Sequence, residues 1–320
     1  MNKKFHWIKQ GRLFDPTSGQ SPTWMVQFAQ SPSVLLFEDR LRIYFCTRGQ
    51  ADAQGQFVSR IGFLDVEREN LFKIIRISES PVLDTGARGC FDEFGTNPVS
   101  VIRCGDEIRA YYAGWTRTES VPFNGAIGMA KSIDGGETFF RLGPGPLLSY
   151  SLDEPFVVGS PKIRRFGNAW HLHYAAGQDW IFEESRHEPV YRIRYATSVD
   201  GVEWKKAGLD LIEKKLGPQE CQASPDIFYR DGLYHMFFSY RYATGFKSKE
   251  RGYRIGYASS SNLMEWHRCD ENAGINVSEE GWDSEMVSYA HVFELDGKLH
   301  MLYQGNEVGR YGFGLATLAD

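Results

Sequence analysis

Ser224-Pro225-Asp226-Ile227-Phe228-Tyr229, the turn Arg230-Asp231-Gly232, and then Leu233-Tyr234-His235-Met236-Phe237-Phe238-Ser239-Tyr240 form the stretch that decides the fold. Apolar and aromatic residues alternate with polar ones on either side of an Asp-Gly pair, the pattern of two antiparallel strands joined by a tight turn. The passage recurs. Its opening stands at Ser31-Pro32, Asn97-Pro98, Ser160-Pro161 and Ser224-Pro225, with a degenerate copy at Tyr289-Ala290, so the anchors lie 66, 63, 64 and 65 residues apart. A period that regular along 320 residues means a repeat architecture.

Each unit reads as four short strands. Second strands align at Leu41, Ile108, Trp170, Tyr234 and Leu299, and third strands at Ile61, Ile127, Ile193, Ile255 and Phe313. Fourth strands are expected at Leu71-Phe72-Lys73, Phe139-Phe140-Arg141, Glu203-Trp204-Lys205 and Glu265-Trp266-His267. Radially repeated four-stranded sheets of this size predict an all-β, five-bladed β-propeller occupying residues 1–320 as one domain. The fifth unit lacks a fourth strand. His6-Trp7-Ile8-Lys9 matches Glu265-Trp266-His267-Arg268 in pattern, so the N-terminal strand is expected to complete the last blade and remove two sheet edges.

Composition excludes some partners. The net charge is −5, which argues against nucleic acid or a membrane surface. No apolar stretch approaches the roughly 18 residues of a membrane span, and Lys3-Lys4 is not followed by an apolar signal region, so a cytoplasmic protein is expected. The five cysteines have no Cys-x-x-Cys spacing, and reduced structural thiols are the expectation.

Strand direction separates two ends of the propeller. Short, repetitive turns such as Asp134-Gly135-Gly136, Asp200-Gly201, Asp231-Gly232 and Asp296-Gly297 lie on one. The other carries long individual loops, at 47–59, 115–125, 178–190, 241–252 and 304–310, and variable loops on one end of a rigid scaffold are where binding chemistry usually sits. Acids precede the inner strands on that end: Asp92 and Glu93, Asp153 and Glu154, Glu220, Asp283 and Glu285. Glu93, Glu220 and Glu285 each stand five residues before their anchor, and the acids are expected to converge on the funnel mouth. Paired carboxylates suit glycosidic cleavage, one protonating the leaving oxygen and one activating water or attacking carbon. Each carboxylate taken alone also fits a plain structural role, bonded to nearby loop amides. Trp24, Trp115, Trp180, Tyr242, Trp282 and Tyr289 are placed to stack on sugar rings, and Arg48, Arg117, Arg241 and Arg310, at or near the ends of second strands, suit the carboxylate or phosphate of an anionic or phosphorylated sugar. His171, His235 and His300 recur at one place in the second strands, which speaks for packing. Ser132 to Phe139 fits the Asp-box turn found in sialidases, and Ser198 to Trp204 is a looser copy.

The proline-anchored inner strand, as in Ala223-Ser224-Pro225-Asp226-Ile227-Phe228, resembles that of the five-bladed glycosidase-like clan of furanosidases, arabinanases, invertases and mannoside phosphorylases. Phe91-Asp92-Glu93-Phe94-Gly95 and Gly281-Trp282-Asp283-Ser284-Glu285-Met286 resemble segments of uncharacterised glycosidase-like proteins encoded among bacterial surface-polysaccharide genes. That resemblance covers the whole chain and implies a carbohydrate ligand, neutral, anionic or phosphorylated, with no cofactor unless an ion sits in the central channel near His291. It also implies catalytic carboxylates at positions occupied here by Ser31, Ser160 and Ala223, and in phosphorylases at Asn97. Three readings stay open. One is a glycoside hydrolase-like enzyme with its acids moved to the loops: Glu220 as general acid, Asp92 as base and Glu285 in support. Glu93, Glu154, Trp115, Arg117, Trp180, Arg241, Asp283 and His291 then line the binding site. The others are a non-catalytic carbohydrate-binding protein and a glycoside phosphorylase.

Overall fold

The structure, a computed structural model, describes residues 4–319; Lys3 of the Lys3-Lys4 start and the last residue of the expected span 1–320 lie outside them. The strands form five four-stranded antiparallel sheets. The chain opens with β1 (Trp7–Phe14). Blade one is β2 (Gln27–Leu36), β3 (Arg40–Arg48), β4 (Ser59–Glu67) and β5 (Ile74–Ile77). Blade two is β6 (Thr96–Cys104), β7 (Glu107–Thr116), β8 (Asn124–Ser132) and β9 (Phe140–Arg141). Blade three is β10 (Val158–Phe166), β11 (Ala169–Glu183), β12 (Arg186–Ser198) and β13 (Lys205–Lys206). Blade four is β14 (Cys221–Arg230), β15 (Leu233–Arg241), β16 (Arg254–Ser260) and β17 (His267–Arg268). Blade five is β18 (Ser288–Leu295), β19 (Lys298–Gln304) and β20 (Phe313–Leu318), with β1 as its outer strand.

The fourth strands begin later than the aromatic pattern suggests. Blade one pairs through Ile74–Ile77 rather than Leu71-Phe72-Lys73, because Lys73 is held in a turn by its N–H to the Asn70 carbonyl. Closure follows the expectation. β1 runs antiparallel to β20 from Trp7 opposite Leu318 to Phe14 opposite Phe313. Trp7 and Phe5 pack on Phe237 and Tyr257 of blade four, while Leu13 and Phe14 join Phe45 of blade one. One strand therefore seals two blade interfaces.

The core is divided among the interfaces. A separate apolar cluster lies between each pair of neighbouring blades, for example Tyr111, Ile127 and Met129 against Ile163, Trp170 and Leu172. At the centre the inner strands are stitched by side chains at one repeated position. Ser33 and Ser100 accept the N–H groups of Val101 and Ile163, Asp226 accepts that of Val292 at 2.6 Å, and His291 Nε2 accepts that of Val34 at 3.1 Å. The Ser-Pro anchor is a β-bulge. Ser31, Ser160, Ser224 and Tyr289 take left-handed φ of 49 to 54°, and the pairing register breaks there. Bulges at a rim re-aim side chains, and these turn residues toward the funnel.

The short turns are structural, as expected. Asp134 accepts the N–H groups of Glu137 and Thr138, and Asp200 those of Val202 and Glu203. Asn262 repeats the device in blade four, which the Asp-based pattern missed. The second-strand histidines are cross-strand partners: His171 and His235 bond Tyr195 and Tyr257 hydroxyls at 2.6 and 2.8 Å. No helix among the described residues is long and apolar enough to cross a membrane.

Candidate functional site

A cavity of about 250 Å3 opens at the variable-loop end of the funnel. The bulge and anchor region supplies Asn97, Ser160, Ala223 and Tyr289, the second strands supply Arg48 and Trp115 near their ends and Ala175 from mid-strand, and Arg186 arrives from the tip of the β11–β12 hairpin. Trp115, Phe123 and Trp180 form a run of edge-to-face rings at 5.8 and 5.6 Å, of which Trp115 and Phe123 line the cavity. Gly95 makes room for that wall. A Cβ there would come within 2.2 Å of Trp115 Nε1, and its φ of +157° is one that side chains rarely adopt.

The wall carries positive charge and hydroxyls. Burial pulls the Arg48 guanidinium down to about 10, with Arg186 acting in the same direction, yet it stays cationic at neutral pH. Burial pushes the Tyr289 and Tyr191 hydroxyls well above their ordinary value, so both remain proton donors. No carboxylate lines the cavity among the described residues. The clan's catalytic positions at Asn97, Ser160 and Ala223 do face it.

The expected convergence of acids on the mouth does not occur. Asp92, Glu154, Glu220 and Asp283 are buried, and each ties the loop before a blade to that blade's own outer strand. Asp92 accepts from Arg141 and from the Tyr112 hydroxyl at 3.0 Å. Glu154 takes Lys206 and the Tyr174 hydroxyl, and Asp283 takes Lys9 at 2.6 Å and the Tyr303 hydroxyl. Glu220 pairs with Arg268 at 2.6 Å and accepts the N–H groups of Lys215 and Leu216. The four form one repeated clasp. Their distances from the anchor differ because the entering loops differ in length, so the shared offset of five groups Glu93 and Glu285 with Glu220 wrongly. Glu93 caps the Gly89 N–H, and Glu285 is an exposed loop residue. In blade one Met25, Phe45 and Ile77 stand at the clasp positions and pack together, an apolar substitute for all three members.

The remaining expected residues scatter. Arg117 pairs with Asp52 at 2.9 Å and lies over Phe94. Arg241 is buried, stacked on Phe246, and donates to the carbonyls of Tyr242 and Ala243. Trp180 stands behind Phe123. His291 lies on the channel wall; burial pulls it down to about 4, so it is neutral, with Nδ1 3.4 Å from Asp226. Lys162, on the neighbouring inner strand, has Nζ 3.9 Å from the same carboxylate, which Arg164 already holds at 2.6 Å. Among the described residues no cluster of three His, Cys, Asp or Glu side chains is arranged to hold a metal ion. Sequence reasoning passed over Arg186 and Tyr191 as cavity residues, since only the hairpin's length folds them back over the funnel; of the four arginines it placed near the ends of second strands, Arg48 lines the cavity, while Arg117, Arg241 and Arg310 do not.

No protein-family model matches the chain. Two proteins of Mycobacterium tuberculosis do, Uncharacterized protein Rv1502 (strain ATCC 25618 / H37Rv) and Uncharacterized protein MT1551 (strain CDC 1551 / Oshkosh), each 35% identical over 98% of this chain and 99% of its own length. The chain belongs to their family. Among solved structures, a glycoside hydrolase superposes with a TM-score of 0.76 at 16% identity over 98% of this chain and 92% of its own. A thermostable family-43 glycoside hydrolase gives 0.67 at 18% identity over 93% and 90%. A member of the GH130 family of mannoside phosphorylases, which contains glycoside hydrolases that target β-1,2 mannosidic linkages in Candida mannan, gives 0.65 at 14% over 99% and 91%. At these identities the likeness is one of fold, and that fold is the five-bladed glycosidase-like propeller expected from the anchor motif.

Proposed function

We propose that the protein binds a carbohydrate in the funnel cavity, with Trp115 against a sugar face and Asn97, Ser160 and Tyr289 meeting its hydroxyls, and that Asp92 and Glu220 do not serve as an acid–base pair. The composition of the wall carries this reading: aromatic, amide, hydroxyl and guanidinium groups without a lining carboxylate among the described residues. Hydrolysis by paired carboxylates needs both within roughly 5 to 10 Å of each other astride the bond. Asp92 and Glu220 are instead fully buried in ion pairs with Arg141 and Arg268. Similarity to glycoside hydrolases and to a mannoside phosphorylase family supports the carbohydrate, and the arginines in the wall make phosphate-bearing sugars part of the panel to be tried.

Calorimetric titration with a panel of mono- and oligosaccharides, run beside turnover assays on aryl glycosides, nucleotide sugars and glycosides with added phosphate, tests the proposal. Saturable binding without release of an aglycone is expected. Turnover by the wild type that disappears in both Asp92→Asn and Glu220→Gln, with folding intact, would return the acid–base role to those residues.

A further inference from the structure

Buried arginines in this fold hold a carboxylate or backbone carbonyls at short range, even where one nitrogen, Arg241 Nε for example, has no hydrogen-bond partner. Arg42 holds Asp65 at 2.7 Å and also Glu137, Arg268 holds Glu220 and Asp270, and Arg241 donates to two backbone carbonyls. Arg48 differs. Its Nη2 reaches only Gln30 Oε1, at 3.4 Å, an acceptor shared with Asn97 Nδ2 at 3.3 Å, and its Nε is buried without a partner. Gln30 cannot turn to do more, because its Nε2 donates to the Val308 carbonyl at 2.6 Å. Phe28 and Phe57 stand 4.4 and 5.7 Å from the guanidinium carbon and hold its position. A guanidinium has five donors, and most of these remain unspent at the cavity wall.

The second cation is brought there by an element of unusual length. β11 and β12 pair, with one register shift between Gly177 and Asp179, out to Glu183 opposite Arg186, around a tip whose Glu184 and Ser185 are left-handed. Arg186 lines the same cavity as Arg48; its Nε lies 3.0 Å from Glu188, and its side chain is 56% exposed. Glu188 offsets the charge of Arg186, but no carboxylate among the described residues pairs with Arg48, and two like charges facing one partly enclosed space leave it net positive and favourable to an anion. A planar guanidinium matches the oxygens of carboxylate and phosphate in bidentate geometry. The volume, about 250 Å3, is below the roughly 300 to 1,000 Å3 of drug-sized pockets and suits a single substituted ring.

We infer that the cavity is specific for a sugar bearing an oxyanion, carboxylate or phosphate, with Arg48 and Arg186 as the residues that recognise the charged group. This rests on the carbohydrate reading above and names the class of ligand. Arg48 sets the anion's place, since it is fixed by its aromatic flanks, and Arg186 closes on it from the hairpin.

The test is titration of the wild type, Arg48→Gln and Arg186→Gln with glucose, glucuronate, glucose 6-phosphate and inorganic phosphate at one ionic strength, with melting curves as a folding control. Glucuronate or glucose 6-phosphate is expected to bind at least tenfold more tightly than glucose, and each variant to lose that margin while its weak affinity for glucose stays. Arg186 is exposed, so Arg186→Gln reports even if Arg48→Gln fails to fold. The stronger of the two charged sugars says whether carboxylate or phosphate is the native group. Equal binding of neutral and charged sugars by the wild type overturns the anion subsite and leaves the carbohydrate reading standing. Arginine-dependent binding of phosphate with no binding of any sugar does the reverse, and no binding of any probe removes both.

Discussion

His173 shows how much one buried side chain weighs here. Its ring lies 4.7 Å from that of Tyr195, both nitrogens lack partners, and burial pulls it down to about 3. His291 is pulled down to about 4 by the same cause. An unfolded histidine titrates near 6.5. Between about pH 6.5 and 4 the unfolded chain therefore takes up protons that the folded protein refuses, and stability falls as pH drops through that window. Each histidine contributes a slope of about 1.4 kcal/mol per pH unit. Burial pushes the Asp134 carboxyl up, but hydrogen bonds from Ser132 and Thr138 outweigh it and hold the group at about 2, so its titration lies below the window. Urea midpoints measured from pH 6.5 to 4.5 should fall steadily in the wild type, and His173→Leu should flatten the curve by about one histidine's share. An unchanged slope would show that His173 is not held neutral in the fold.

The unit of organisation among elements is the clasp between an entering loop and an outer strand. Outer strands are short, two paired residues in blades two, three and four, and ladder bonds alone hold them weakly. A buried carboxylate on a basic residue of the outer strand adds the missing tie. Removing one member of such a pair strands a charge and costs about 3 to 5 kcal/mol, while replacing both by apolar groups is often neutral or better. Arg268→Met should therefore lower stability by several kcal/mol, and Glu220→Leu combined with Arg268→Met should regain most of it in a urea-melt cycle. Blade one has already made that exchange, with Met25 and Ile77 packed together. The basic members Arg141, Lys206, Arg268 and Lys9 lie in or directly after the aligned outer-strand segments of blades two to five, yet the strand pattern gave them no partner. The acids were visible but their targets were not, because loop length shifts them against the anchor while the fold brings them to one place.

At the scale of the molecule, everything depends on the ring being shut. β1 supplies the last blade's outer strand and also covers apolar surface of blades four and one through Trp7 and Phe14. Burial of a large side chain contributes about 1.5 to 3 kcal/mol, and two of them together with the lost ladder bonds exceed the margin of many domains. A variant that starts at Asp15 should thus melt well below the full chain or fail to fold, with the third strand of blade five exposed to exchange. A melting temperature equal to that of the full chain would mean that the ring does not depend on β1.

The sequence by itself determined the five-fold repeat, the four-stranded unit, the N-terminal closure and the end that carries the variable loops, because strand alternation, Asp-Gly turns and a 63- to 66-residue period are local signals that survive without a partner in view. It also named Trp115, which lines the funnel cavity. Tertiary structure alone decided which polar groups meet there. Charge on a loop says nothing of whether a side chain turns in toward the funnel or out toward an outer strand, and that choice is made by what lies within reach: a lysine or arginine of the blade's edge for Asp92, Glu154, Glu220 and Asp283. Arg48 finds no such partner, and Arg186 reaches the same cavity only because a hairpin 138 residues further along the chain bends over it.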